Sequence, residues 1–484
     1  MKSDGLFNSH KLKNIVFNCS YYSLNVLFPL LTYPYVARIL GVDNIGLGNL
    51  AISLATYFAT IASLGIPIYG IREVAKCRDN SEKLSFLVSE LILINAIGVM
   101  ASIILYALLI LHVDIFRENL FIYILAGINL FFSFFQIDWL FQGTERFKIL
   151  MYRNFIVKLA SIFLVYYLIS ERNDVEQFVF ISVFGLSLAN LINILEASKI
   201  VRFRFHCLNL RRHIKTIIFF SATRIVSTVY TVLDSVILGL LTSNFYVGLY
   251  STAIKLIRVV VTIISSITMV FFADTARQVD VSEDTRVDRL TDLFIFIFLL
   301  CVPIALFLFL FSDAIVVSFA GDSFLAAGDT LKVLSILIIV SIGTNFFGMQ
   351  VLYARNLERY VFQSLLVGAV ICIFLNILIT PIYKHNGAAL STVMAELGIL
   401  AFQLYIIKCK RLRVFHNLWN KIRKGLFSLI LFFLSIYLLE LCFHNENKFQ
   451  YVTIVSMFSV IVYPLILFIV REPVFVRIIE GIKK

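Results

Sequence analysis

Charge and tryptophan are scarce in this 484-residue chain: Asp, Glu, Lys and Arg together make up 15% and only two residues are Trp. Soluble domains carry about 25% charged residues, so a water-facing surface around one core is excluded. The seven cysteines form no CxxC pair and show no metal-ligand spacing, which argues against redox or zinc chemistry. Walker, HExxH and GxSxG motifs are missing, as is any Ser/His/Asp grouping, so no catalytic centre, metal or cofactor is expected. No segment is long enough to fold alone; the largest polar stretches lie near 199–216, 273–289 and 408–424. That excludes the basic soluble domain that nucleic-acid binding would need, and with it a nucleic-acid partner. A cleavable signal peptide is not expected either, because the first apolar run is too long, contains Pro29 and Pro34, and lacks a small-residue cleavage site.

Apolar residues fill the space: 60% of the chain is hydrophobic and the mean hydropathy is +0.92. Runs suited to crossing a bilayer fall at 15–33, 45–68, 87–111, 119–141, 154–170, 178–198 and 217–241. They continue at 247–272, 290–311, 329–353, 361–383, 387–407, 426–443 and 450–470. An all-α polytopic membrane protein with about fourteen spans is expected.

The basic residues orient it. Lys2, Lys11 and Lys13 precede the first run, and basic segments recur after every second one, among them Arg72 to Lys83, Arg146 to Arg153, Lys199 to Lys215 and Lys408 to Lys424. About 32 of the 42 Lys and Arg fall on one side and about five on the other, which predicts cytoplasmic N- and C-termini. The net charge of +12 is therefore mostly topological, and the basic loops favour anionic headgroups of membrane lipids.

Five polar residues share one face of the 247–272 run: Ser251, Lys255, Arg258, Thr262 and Ser265. Their spacing is that of a single helical stripe. A cation at mid-bilayer costs about 3 kcal/mol on insertion scales, so this stripe predicts the wall of a polar cavity. The preceding run places Arg224, Thr228, Thr231, Asp234 and Ser235 along a broad face. Arg224 paired with Asp234, or Arg224 and Lys255 snorkelling to an interface, is the plainer account. Lys158 and Lys332 are further intramembrane cations for which snorkelling is the simpler reading, while Asp138 and Glu440 read as interfacial. Glu396 is the most deeply placed carboxylate; it would either exchange a proton or pair with Lys332 or a helix neighbour. Pro29 and Pro34 are expected to break the first helix near Arg38.

Two halves echo each other. Ile45-Gly46-Leu47 with Ala51-Ile52 recurs as Val247-Gly248-Leu249 with Ala253-Ile254. Phe134-Phe135 with Glu145-Arg146-Phe147 recurs as Phe346-Phe347 with Glu358-Arg359-Tyr360. The order and similar offsets predict duplicated six-helix lobes, residues 1–210 and 211–410, followed by two additional helices and a tail over 411–484.

Several segments carry a family resemblance: Pro29 to Gly41 (PLLTYPYVARILG), Gly65 to Ala75 (GIPIYGIREVA), Phe134 to Glu145 (FFQIDWLFQGTE), Tyr250 to Lys255 (YSTAIK), and Asn376 to Tyr383 followed by Asn386 to Ala389. Over about residues 12–410 the chain resembles the Wzx-type O-antigen flippases of the multidrug/oligosaccharidyl-lipid/polysaccharide exporter superfamily. The resemblance implies a bacterial inner-membrane protein with two lobes around a cavity that opens alternately to either side. The implied cargo is an oligosaccharide linked through pyrophosphate to undecaprenol, with a polysaccharide polymerase and a chain-length regulator as candidate partners. Arg224, Lys255, Arg258, Ser251, Thr262 and Arg38 would contact that cargo, and Glu396 or Asp234 would couple transport to an ion or proton. Exporters of capsule, teichoic acid or drugs share the fold, and a membrane polymerase is a further alternative.

Overall fold

The structure, a computed structural model, describes residues 9–204, 208–277, 283–443 and 448–473. Its regular structure is helical, with no strand among the described residues. In lipid every backbone donor and acceptor must be satisfied internally, and a helix does this within one segment. Among the described residues, nine helices are long and apolar enough to cross a membrane, so the chain is a multi-pass membrane protein.

The contacts divide the chain into two compact units, one ending at Gly248 and the other beginning at Leu249. The first contains α1 (Ser9–Ala62), α2 (Ile66–Cys77), α3 (Ser81–His112), α4 (Asp114–Arg117), α5 (Leu120–Ser133), α6 (Asp138–Gly143), α7 (Phe147–Leu168), α8 (Val175–Ala197) and α9 (Arg211–Leu241). The helix α10 (Asn244–Arg277) begins here and continues into the second unit, with α11 (Glu283–Leu310), α12 (Ser312–Ala320), α13 (Ala327–Asn345), α14 (Glu358–Cys409), α15 (Leu418–Phe443) and α16 (Lys448–Ile469). The repeat suggested a lobe boundary at 210/211. The contact boundary falls later because α9 packs against α1 and α2.

Two helices hold two expected runs each. In α1 the helix continues through Pro29 and Pro34, contrary to the expected break, and the non-helical residue is Gly41 (φ 73°, ψ 178°). A proline removes one donor from the ladder, whereas a positive φ redirects the chain and suits glycine best. The loop after α7 ties this bend down: Tyr35 OH donates to Ile169 O at 2.8 Å and Asn44 Nδ2 to Arg172 O at 2.5 Å. In α14 the corresponding interruption is Lys384 (φ 53°, ψ −128°).

The repeat is visible in the backbone. After the Phe134-Phe135 pair, Glu145 adopts φ 58° and Arg146 N donates to Phe141 O at 2.8 Å. After Phe346-Phe347, Asn356 adopts φ 57° and Leu357 N donates to Leu352 O at 2.9 Å. Both are left-handed turns closed by a 6→1 bond, and each launches a long helix, α7 or α14. The other repeated motif brings its glycines together. A Cβ on Gly46 would stand 1.7 Å from Asn244 O and 2.8 Å from Gly248 N, and one on Gly248 would stand 2.2 Å from Val42 O. Neither position has room for a methyl group, so Gly46→Ala and Gly248→Ala should each cost about 1–3 kcal/mol through forced backbone shifts. Thermal unfolding of the purified variants in detergent checks this; unchanged melting temperatures would contradict the packing.

Candidate functional site

A cavity of about 290 Å³ opens inside the first unit. Its walls come from α1 (Thr56, Thr60), the turn after it (Ser63), α5 (Asn129, Ser133), the break before α6 (Gln136), α7 (Asn154, Lys158), α8 (Asn190) and α9 (Arg224), with Asp138 and Arg153 beside them. The local chemistry begins where α5 ends. Asn95 of α3 donates to the carbonyls of Ser133 and Phe134, both at 3.2 Å, replacing partners that a continuing helix would supply. The run expected as one helix over 119–141 therefore unwinds at 134–137 and restarts at α6 with Asp138 in its first turn. An acidic residue there is favoured by the helix dipole. Close contact of α6 with α2 fixes its place: a Cβ on Gly70 would meet the Trp139 ring at 2.7 Å, and one on Gly143 would meet Val74 at 2.6 Å.

Asp138 then meets Arg153, whose side chain is only 4% exposed. Arg153 Nη1 donates to Asp138 Oδ1 at 2.7 Å and Nη2 to Oδ2 at 3.3 Å, a two-pronged pair. Asn193 Nδ2 donates to the same Oδ1 at 2.6 Å, Arg153 also donates to Asn193 Oδ1, and its Nη2 reaches Asn154 Oδ1 at 3.0 Å. Two other cations lack such a partner among the described residues. Lys158 Nζ lies 4.4 Å from the centre of the Phe28 ring, a cation–π contact, and neither Lys158 nor the Arg224 guanidinium bonds a carboxylate. The cavity thus holds three cations and one carboxylate, and that carboxylate is committed to Arg153. The remaining wall of amides and hydroxyls offers both donors and acceptors.

The structure brings only Arg224 of the expected cargo-binding residues into this cavity. Arg224 forms no pair with Asp234, which is 1% exposed and ten residues further along α9. Such a separation is about 15 Å of helix. Ser251, Lys255, Arg258, Thr262 and Ser265 do share the predicted helix, α10, grading from buried Ser251 to exposed Arg258. Thr262 donates to Arg258 O at 2.7 Å, and Ser265 reaches Asn345 Oδ1 at 3.2 Å. Arg38 is exposed on α1, one turn before Gly41, and is not among the cavity's lining residues. Glu396 accepts from Thr344 Oγ1 at 2.5 Å. Lys332 is not its partner, being held instead by Asp313 and Asp329 at 3.3 Å. The side chains of Thr231 and Glu440, and residues Lys2, Lys483 and Lys484, lie outside what the structure describes.

The Asp138–Arg153–Asn193 network is the main element that sequence reasoning missed. The sequence groups Arg153 with a cytoplasmic basic segment and reads Asp138 as interfacial; in the structure both line the cavity. A helical signal was present: Arg153, Asn154, Val157, Lys158 and Ser161 follow one stripe of α7.

These features define a class, a polytopic helical membrane protein with a cationic polar cavity. A family profile described as polysaccharide biosynthesis protein matches residues 11–272, and the chain belongs to that family. Two relatives, from Escherichia coli (strain K12) and Shigella dysenteriae, are each named "Putative O-antigen transporter". Both are 23% identical to this chain, covering 84% and 82% of it and 100% of their own lengths. Among solved structures, the lipid II flippase MurJ in an inward closed conformation matches with a TM-score of 0.73 at 16% identity, over 95% of this chain and 99% of that one. An inward-facing multidrug resistance MATE family transporter of the MOP superfamily matches with a TM-score of 0.54 at 12% identity, over 79% and 96%. The chain therefore shares its fold with these two structures.

Removing one partner of a buried ion pair leaves the other uncompensated, at a cost of about 3–5 kcal/mol. Arg153→Leu and Asp138→Leu should each destabilise the protein strongly, and the double variant should be less destabilised than either. Unfolding of the four proteins in detergent measures the coupling; additive losses would show that the pair does not act as a unit.

Proposed function

We propose that this protein is a flippase that moves an undecaprenyl-pyrophosphate-linked oligosaccharide, an O-antigen repeat unit or a similar surface-polysaccharide unit, from the cytoplasmic to the periplasmic face of the inner membrane. The observation that carries this reading is the cavity in the first unit, where Lys158 and Arg224 face a polar wall without carboxylate partners. A phosphate would supply their missing counter-charge, and the amide and hydroxyl wall suits sugar hydroxyls. The volume, about 290 Å³, is at the low end for a ligand site and fits a sugar ring or a pyrophosphate group rather than a whole oligosaccharide. The name of the two relatives supports O-antigen as the cargo. The fold is shared with drug exporters, but a drug cation would be repelled by an excess of cations.

In this reading Ser251, Lys255, Arg258 and Thr262 of α10 make further contacts to the pyrophosphate or an acidic sugar, and Arg38 assists at the membrane face. The lobes 1–210 and 211–410 rock to expose the cargo to one side and then the other, with both termini in the cytoplasm. Glu396, which accepts from the Thr344 hydroxyl, exchanges a proton in that cycle, with Asp234 as the next candidate. A polymerase and a chain-length regulator would receive the product.

Reconstitution in liposomes with a fluorescent undecaprenyl-pyrophosphate oligosaccharide tests the proposal. Arg224→Gln, Lys158→Gln and the Lys255→Gln/Arg258→Gln pair should each lower flipping at least tenfold while the proteins stay folded. Full activity in all three would overturn the cationic site. Glu396→Gln should bind the cargo normally yet stop responding to a pH gradient; an unaltered response would make Glu396 structural.

A further inference from the structure

A second buried polar cluster lies in the first unit, where the chain between α8 and α9 crosses the first turns of α3. Arg202 N donates to Ser85 Oγ at 3.1 Å, Arg204 N to Ser89 Oγ at 2.8 Å, and Asn209 N to Glu90 Oε1 at 2.7 Å. The spacings match. Four helical residues advance about 6 Å and two extended residues about 6.6 Å, so alternate N–H groups of the connecting chain meet serines one turn apart. Arg204 also pairs with Glu82 at 2.7 Å.

Glu90 is 2% exposed and gathers three elements. Its Oε2 accepts from Arg212 and faces His213 Nε2 at 2.9 Å, both in the first turn of α9. The other ring nitrogen, Nδ1, meets the Tyr69 hydroxyl of α2 at 2.6 Å. Arg212 Nε also donates toward His213 Nε2 at 3.1 Å, so the guanidinium spans the ring and the carboxylate and matches the carboxylate charge. Such a cluster would be costly to bury with any member missing.

Its position on α9 gives it a consequence at the cavity. His213, Ile217, Ser221, Arg224 and Thr228 recur every three or four residues and lie on one stripe. The first three are 4%, 3% and 7% exposed, and Arg224 carries the same stripe into the cavity. Eleven residues complete three turns to within about 20°, so the rotation of α9 at His213 sets the direction of Arg224. Among the described residues no carboxylate holds Arg224 there, and its Nε is buried without a hydrogen bond. An unmatched guanidinium in an apolar helix gains by turning toward water, so something else must hold the helix in register.

We propose that the Tyr69–His213–Glu90 clasp, closed by Arg212, is a positioning device that fixes the rotation of α9 and thereby presents Arg224 to the cavity. Its functional meaning rests on the cavity being the cargo site; its structural half does not. The test uses the full chain without its native cysteines, carrying one cysteine at position 224 or 226, on opposite sides of α9. Labelling by a water-soluble charged thiol reagent should be fast at 224 and slow at 226. Glu90→Gln, and separately Tyr69→Phe as the gentler change, should narrow that ratio, with Glu90→Gln narrowing it at least tenfold. His213→Leu should do the same, and His213→Gln, which keeps a donor toward Glu90, should restore much of the ratio. An unchanged ratio in Glu90→Gln and His213→Leu proteins that melt normally would overturn the proposal. If Glu90→Gln fails to fold, an unchanged ratio in Tyr69→Phe and His213→Leu has the same force. A flipping assay with Arg224 intact separates the two readings. A raised KM with kcat little changed in Tyr69→Phe links register to cargo binding. A shifted labelling ratio with normal flipping keeps the clasp and removes Arg224 from the cargo site.

Discussion

An ionised side chain inside an apolar helical unit must be matched, hydrated or bound to something charged, and much of the first unit's irregular structure follows from that constraint. Arg153 is matched, and the match shapes the backbone around it. Its carboxylate comes from a helix start, its amides from α7 and α8. For Asp138 to arrive there, α5 has to end early, and Asn95 makes the ending tolerable by taking up two of its carbonyls. Irregular backbone at membrane depth survives only where protein or a cavity covers it, and the 134–137 break meets that condition. The glycines of α2 and α6 then let the short helix seat against its neighbour.

Much of the architecture was legible in the sequence because period and composition are local properties. The apolar runs fall on helices, and the stripe from Ser251 to Ser265 sits on one helix because every residue in it obeys the 3.6-residue repeat. The duplicated motifs also reappear, one as a pair of left-handed turns and the other as a pair of facing glycines. The cavity was less legible. Its residues come a few at a time from α1, α5, α7, α8 and α9, and no single window contains enough of them to stand out. Counting basic residues for orientation also hid Arg153, since placing the start of a run at 154 turns a buried ligand of Asp138 into one more cytoplasmic charge. Glu396 shows the same limit from the other side: its depth could be read, but its partner Thr344 on α13 could not.

Chain breaks followed a similar rule. Proline is conspicuous in a sequence, yet the first helix passes through Pro29 and Pro34 and is interrupted at Gly41. A missing donor costs one bond that neighbours can replace, whereas a change in direction needs a residue that tolerates positive φ. At the equivalent interruption of α14 a lysine takes that conformation, so residue type alone does not locate these bends.

The three cations of the cavity are not equivalent, and the difference bears on what the site can do. Arg153 is neutralised by Asp138 and has its planar fork engaged, so it contributes rigidity more than field. Lys158 has only the face of Phe28, a contact worth about 0.5–2 kcal/mol. That is less than the several kcal/mol an ion loses on leaving water. Arg224 has no bonded counter-ion and is buried at Nε. In the proposed reading, an anionic cargo group would supply both with the counter-charge that Asp138 supplies to Arg153. A carboxylate supplied by the protein to each would have made the unit more stable and the cavity inert. On that proposal, one matched pair holds the local fold together while the two cations without a carboxylate partner among the described residues keep their charge for the cargo.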